Sequence, residues 1–254
     1  MDKAIKVSRN ELLALFKRVF EQASQQQNDY SYSAEAVVWL ELRGLAGVEA
    51  AVQALPILQS GRLQRTETRS DDALHAQLDA SGCSLLTAAS AVGDAAIAAT
   101  QATSPYFATI ENGEQYIAIV PELCRLSQLG RSALAWWPDI ENDCVYVVQA
   151  SDSNPHPVWR QIQIADADKA QEPKLRMAVA TDANVLLAKI NDTAVKEAVE
   201  DAHVAITVDE FAARFESCMS DGIEIDEQIY RQCCAVADKV LVESTEQSRG
   251  GAGE

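Results

Sequence analysis

Two stretches combine an arginine with glycine-freed backbone: Arg43-Gly44 near the N-terminus and Ser248-Arg249-Gly250-Gly251-Ala252-Gly253 near the C-terminus. A guanidinium fork matches a carboxylate or phosphate with two parallel hydrogen bonds. Successive backbone N–H groups around glycines form a concavity that suits an anion. Arg43, Gly44, Ser248, Arg249, Gly250, Gly251 and Gly253 are therefore the candidate ligand-binding residues, with Arg43 and Arg249 as clamps on a small anionic metabolite. This requires the two stretches to meet at one pocket. The alternative for the C-terminal stretch is a frayed tail, as most termini are.

Other reactive residue types stand without partners. His75, His156 and His203 have no acidic or cysteine neighbour at ligand spacing, and each reads as a surface or supporting histidine rather than a metal ligand or general base. Cys233-Cys234 fall inside a predicted helix, where successive side chains diverge, so one belongs in the core and one is partly exposed. Cys83, between Gly82 and Ser84 near a helix start, sits where a thiol pKa can drop. Asp139, Glu141 and Asp143 alternate as in a calcium loop but lack its glycine and distal glutamate, and read as a solvated hairpin loop. There is no phosphate-binding glycine loop, Ser-His-Asp order or paired-cysteine metal signature. Residue pattern thus names no catalytic group, metal or cofactor.

The elements that must position these residues are readable from periodicity. Ser8 and Glu11 have capping-box spacing, with Val7 as staple, and Leu12, Leu15, Phe16, Val19 and Phe20 recur at helical intervals after them. Ser33 is expected to cap a second helix that stops at Gly44 in the left-handed conformation, and Gly47 to Leu55 a third that Pro56 ends. Leu85 to Ala99 reads as an internal helix. Asn112-Gly113 between Tyr106–Ile110 and Gln115–Val120 predicts a β-hairpin closed by Pro121. Ala133–Trp137 pairs with Cys144–Gln149 in a second hairpin, and Val158–Ile164 and Leu175–Ala180 are further strands. Short helices over Ala183–Ile190 and Ala194–Asp201 follow. Two strand-cap-helix passages close the chain: Val204–Val208 into Asp209–Met219 with a Thr207/Glu210 capping box, and Ile223–Ile225 into a helix from Asp226. They resemble a small internal duplication. The fold class is α+β: a helical N-terminal region over residues 1–70, then an acidic body over 71–254 with a central, mostly antiparallel sheet and C-terminal helices packed on it.

Charge and composition bound the function. Residues 1–70 carry nine Lys/Arg against eight Asp/Glu, whereas the remainder carries twelve against thirty, which accounts for the net charge of −17. A body this acidic repels phosphate backbones, which excludes nucleic acid as a partner. No apolar run approaches the ~18 residues that cross a bilayer, so no membrane contact is expected. Six cysteines without a Cys-x-x-Cys pair fit free thiols in a reducing cytosol, and the expected location is cytoplasmic.

Two family resemblances add to this. Arg43-Gly44 after two helices resembles the N-terminal region of the malate/L-lactate dehydrogenase family that binds its nicotinamide outside any Rossmann fold. In that family a His-Gly pair follows and supplies the catalytic histidine; here the chain reads Leu45-Ala46-Gly47-Val48, shorter and without histidine. Loss of a proton-transfer group of this kind costs orders of magnitude in rate, so the resemblance does not carry dehydrogenase activity with it. Tyr32-Ser33, Trp39, Arg43-Gly44-Leu45 and Gly47, together with Val242-Glu243-Ser244, Glu246, Ser248-Arg249 and Gly251-Ala252-Gly253, also resemble a bacterial family of unknown function. The functional expectation is a non-catalytic homo-oligomer that binds a small molecule or a protein partner. The alternative is a divergent oxidoreductase, or other enzyme, acting on a small anionic metabolite. The first helices carry more Leu, Val and Phe than a lone layer needs, which predicts a homodimer.

Overall fold

Ser8 and Glu11 bond reciprocally at the head of the first helix, as their spacing predicts: Glu11 N donates to Ser8 Oγ (3.2 Å) and Ser8 N to Glu11 Oε2 (2.7 Å). The computed structural model describes residues 4–24, 27–60, 67–71, 74–100, 104–151, 154–163, 173–201 and 204–240. A short strand, β1 (Ala4–Val7), precedes helices α1 (Arg9–Ser24), α2 (Gln27–Glu41) and α3 (Gly47–Leu58). Helix α2 ends where Gly44 takes φ 68°. Gly44 N donates to Glu41 O and Leu45 N to Leu40 O, both at 3.0 Å, which is the paired closure a left-handed glycine permits.

Two helix boundaries differ from the sequence reading. Ser33 is not a cap: it lies inside α2, fully buried, and its hydroxyl donates across to Leu86 O at 2.8 Å. Its polarity is spent on a long-range contact that periodicity cannot show. Pro56 does not stop α3, which runs to Leu58. Leu55 and Leu58 on either side are buried, and that packing holds the last turn against the missing N–H.

The remaining strands are β2 (Glu67–Asp71), β3 (His75–Asp79), β4 (Tyr106–Glu111), β5 (Ser132–Asp139), β6 (Cys144–Ala150), β7 (Val158–Gln163), β8 (Lys174–Ala180), β9 (Val204–Ile206) and β10 (Ile223–Asp226). The remaining helices are α4 (Leu85–Ala99), α5 (Ile119–Gln128), α6 (Ala183–Lys189), α7 (Thr193–Asp201), α8 (Val208–Asp221) and α9 (Glu227–Ala237). Eight strands form one sheet in the order β2-β3-β4-β8-β5-β6-β7-β9, antiparallel except for the parallel β3–β4 pair. β1 and β10 form a separate antiparallel pair. The class is α+β. The β5–β6 hairpin and strands β7 and β8 stand where alternation put them.

The hairpin expected at Asn112-Gly113 does not form. β4 lies between β3 and β8, so both of its edges are already occupied. Past Asn112 (φ 54°) and Gln115 (φ 51°) the chain turns through a 3₁₀ segment, Tyr116–Ala118, into α5. Ile119, Val120, Leu123 and Leu126 are buried at helical spacing, and Pro121 sits in the first turn, where its missing N–H is harmless. The Asn112 side chain donates to Asp79 Oδ1 (3.0 Å), binding the turn to the end of β3.

Each strand of the sheet divides its residues between two faces. Ala133, Ala135 and Trp137 of β5 and Leu175, Met177 and Val179 of β8 join the main core, which also takes in α1 to α5 and α9. Leu134 and Trp136 of β5 and Ala178 and Ala180 of β8 point the other way, into a smaller cluster roofed by α6 and α7. Helix α9 packs on α1 rather than on the sheet. The Thr207/Glu210 capping box is present at α8, and Asp226 caps α9. The two strand-cap-helix passages thus share local form but not surroundings, since β9 is a sheet edge and β10 pairs with β1.

Candidate functional site

On the outer face of the sheet, α6 and α7 pack chiefly on β5, β6, β7 and the end of β8. Where this cover stops, a cleft of about 620 Å³ opens between the strands and the α6–α7 connection. Its floor is set by register. Arg176 of β8 is the direct cross-strand partner of Trp136 of β5, and His75 of β3 that of Phe107 of β4. Directly opposed residues on one face hold their side chains side by side. Leu74 and Pro105 extend the floor, and Lys189, Ile190 and Asp192 overhang it.

The polar groups of this cleft are unevenly satisfied. Trp136 is only 6% exposed, and its indole N–H meets no acceptor among the described residues. A buried donor without a partner costs about 1–3 kcal/mol. Among the described residues neither Arg176 nor Lys189 has a carboxylate partner. Among the described residues Asp192 is the one acidic group lining the cleft, and its Oδ1 accepts from Val195 N (3.2 Å) at the head of α7. The His75 and Phe107 rings touch at a centroid distance of 5.1 Å.

The adjoining part of the same face is neutralised. Lys174 Nζ lies 2.5 Å from Glu111 Oε1, Arg69 reaches Glu111 Oε2 at 3.3 Å, and Arg69 also pairs with Asp79. The Lys174 hydrogen bond holds the Glu111 carboxyl below its ordinary range. The Asn112 amide does most to hold Asp79 down, to about 2. Charge on this surface is therefore answered along one row of the sheet and left open along the next. In a chain of net charge −17, a cleft whose basic groups meet no carboxylate among the described residues is a distinct electrostatic feature.

Arg43 and Gly44 lie elsewhere. Arg43 is 4% exposed, with its guanidinium 3.8 Å from the Trp39 ring centroid and 5.0 Å from that of Phe215. Nε donates to His156 Nδ1 (3.1 Å) and Nη1 to Trp39 O (3.1 Å), while the Arg43 carbonyl accepts from Arg214 Nη1 (3.3 Å). Burial lowers the guanidinium pKa to about 10. Burial, and then the Arg43 charge, lower that of His156. Ser248, Arg249, Gly250, Gly251 and Gly253 lie outside the described residues, as does His203. Gly47 has a steric role: a Cβ there would stand 2.2 Å from Val37 O and 2.9 Å from Leu40 Cβ, so the α2–α3 contact requires glycine.

The other candidates offer no chemistry. Cys233 and Cys124 are buried, and burial pushes each thiol up to about 12, away from the thiolate. Cys83 is buried in the main core, and Cys234 is partly exposed, as expected of its adjacent position. Asp139 is occupied in its own loop, accepting from Asn142 N and Nδ2 at 3.1 and 2.7 Å. Buried Glu122 is satisfied by Tyr32 Oη (3.0 Å) and by two Arg125 nitrogens. Among the described residues no group of His, Cys, Asp and Glu is arranged to hold a metal ion. No helix of the described residues is long and apolar enough to cross a membrane.

Sequence reasoning passed over Trp136, Arg176 and Lys189. One signal was present: Arg176 interrupts the otherwise apolar Leu175-Arg176-Met177-Ala178-Val179 strand. The convergence with Trp136 depends on β5–β8 pairing and has no local signature.

No family model matches the sequence, and no curated protein does. Solved structures do match it. The malate dehydrogenase from Pyrococcus horikoshii superimposes with a TM-score of 0.68 at 12% identity, over 96% of this chain and 98% of that one. The sulfolactate dehydrogenase from Methanocaldococcus jannaschii gives 0.65 at 10%, over 94% and 98%. The Δ1-piperideine-2-carboxylate reductase from Pseudomonas syringae gives 0.59 at 12%, over 91% and 99%. The chain shares their fold, and the resemblance of its first helices to a dehydrogenase N-terminus extends to the whole architecture.

Proposed function

We propose that this chain binds a small anionic metabolite in the outer-face cleft, on a dehydrogenase-like fold that lacks the family's proton-transfer histidine. One observation carries the reading: Trp136, whose buried indole N–H meets no acceptor among the described residues, is the direct cross-strand partner of Arg176, which has no carboxylate partner among them. Together they form a donor pair suited to one anion. Arg43 supports the scaffold, and the C-terminal Ser248–Gly253 stretch is a second proposed contact for an anion.

The experiment is a thermal-shift panel of carboxylates, phosphate, NADH and NADPH. A ligand at a hundred times its Kd stabilises the folded state by about 2.7 kcal/mol. At least one carboxylate should shift the wild-type chain, and the shift should vanish in Arg176→Gln and Trp136→Phe. A flat panel removes this reading.

A second reading is an oxidoreductase acting on the same anion. The fold shared with two dehydrogenases and a reductase favours it, and His75 on the cleft wall offers an acid–base group. Loss of NADH absorbance with a 2-oxo acid, abolished by His75→Gln, would establish it over simple binding.

The homodimer belongs to the same proposal, but its interface must lie away from the α1 stripe. Leu12, Leu15, Phe16, Val19 and Phe20 are all enclosed by this chain's own helices. A light-scattering mass near 27.6 kDa at micromolar concentration would contradict the dimer.

A further inference from the structure

We infer that the cleft selects a monocarboxylate with a bulky apolar body over a small dicarboxylate; this rests on the anion-binding reading above. The donor end accommodates one carboxylate. Arg176 and Trp136 are direct cross-strand partners on β8 and β5, so a guanidinium fork and an indole N–H rise from neighbouring positions, a donor set sized for one carboxylate rather than for two separated ones.

The charge available matches one anion. Arg176 and Lys189 contribute two positive charges and Asp192 removes one. The Asp192 carboxylate stands at the α6–α7 overhang, where it disfavours a second carboxylate on the ligand. Lys189 is exposed, and water screens most of its pull on that second group.

Volume and lining give the rest of the ligand. Clefts of roughly 300–1,000 Å³ hold ligands of drug size, and at about 620 Å³ this one leaves a four-carbon acid mostly surrounded by solvent. Phe107, Ile190, Leu74 and Pro105 form apolar walls around the donor end. Burying apolar surface against them is the main gain open to a ligand once its carboxylate is placed. The face of Phe107, tilted against His75, suits a planar ring.

The test is calorimetric titration of the full chain with acetate, butanoate, phenylacetate and succinate. Affinity should rise from acetate to butanoate to phenylacetate, with phenylacetate at least ~10-fold tighter than acetate. Succinate, with the carbon count of butanoate and one more carboxylate, should bind more weakly than butanoate. Phe107→Ala should lower phenylacetate affinity ~10-fold and leave acetate unchanged; the ligand series stands alone if that variant folds poorly. A flat series, or succinate equal to or tighter than butanoate, overturns the selectivity while anion binding stands. If no carboxylate binds, both readings fail. If Arg176→Gln binds the series as the wild type does, the placement at this cleft is wrong.

Discussion

Two arginines of this chain sit in opposite circumstances. Arg43, which the sequence marks through its Arg-Gly motif, is walled in by Trp39, Phe215 and His156, and its donors are directed at an imidazole nitrogen and a backbone carbonyl. Arg176, which no motif marks, stands half-buried on the outer sheet face as the cross-strand partner of Trp136, and among the described residues it meets no carboxylate and the Trp136 indole N–H no acceptor. The first charge is built into the scaffold; the second is left open at a cleft. A cation retained in the core by rings and an imidazole holds elements together, whereas an open one in a depression is available to a ligand.

The sharpest way to break this comparison is to remove each arginine and measure stability and binding together. Arg43→Ala leaves a cavity between two rings and strips two acceptors of their donor, and should cost about 3 kcal/mol in urea unfolding. Arg176→Ala should change stability by less than about 0.5 kcal/mol while abolishing carboxylate binding. The comparison collapses if the two variants behave alike. Gly47→Ala comes next. Its methyl would meet the Val37 carbonyl, so α2 and α3 must separate at a cost of about 1–3 kcal/mol, read as a lower unfolding midpoint.

The smallest effect is a pH dependence. His156 accepts from Arg43 through Nδ1 and must be neutral at that atom. Its pKa is lowered in the folded state by burial and then by the Arg43 charge, so the unfolded chain binds the proton more readily. The stability this confers is complete above the ordinary value of 6.5 and is lost as the pH falls from there through the lowered folded value. His156→Gln keeps an acceptor for Arg43 and does not titrate. Between about pH 7 and pH 5 its unfolding midpoint should fall less steeply than that of the wild type. Parallel slopes would show that His156 does not titrate on unfolding.

What was legible in the sequence is what local spacing determines. The Ser8/Glu11 and Thr207/Glu210 boxes, the left-handed Gly44 and the alternation of β5 to β8 needed only neighbours a few residues away. Asn112-Gly113 misled because its turn chemistry is real while the partner it implied is excluded: β3 and β8 already flank β4. Ser33 misled for a similar reason, since its hydroxyl serves the distant Leu86 carbonyl. The cleft was hidden in a third way. Arg176, Trp136, His75 and Lys189 come from four elements, and only sheet order brings them to one place. Motif-reading favoured the arginine that a helix end displays rather than the one that strand pairing presents.

The β1–β10 ladder has a consequence for how the molecule comes into being. Ala4 pairs with Asp226 and Val7 with Ile223, and α9 lies against α1. During synthesis the opening helices emerge long before the segment that closes over them. Their apolar stripe must wait, shielded by transient partners or by α2 alone, until the distal strand leaves the ribosome. Contacts between residues more than two hundred positions apart, as Ala4 and Asp226 are, slow the search for the native state. Assembly of this protein is therefore a clasp fastened late, and a shortened chain lacking β10 should be the form most prone to aggregate.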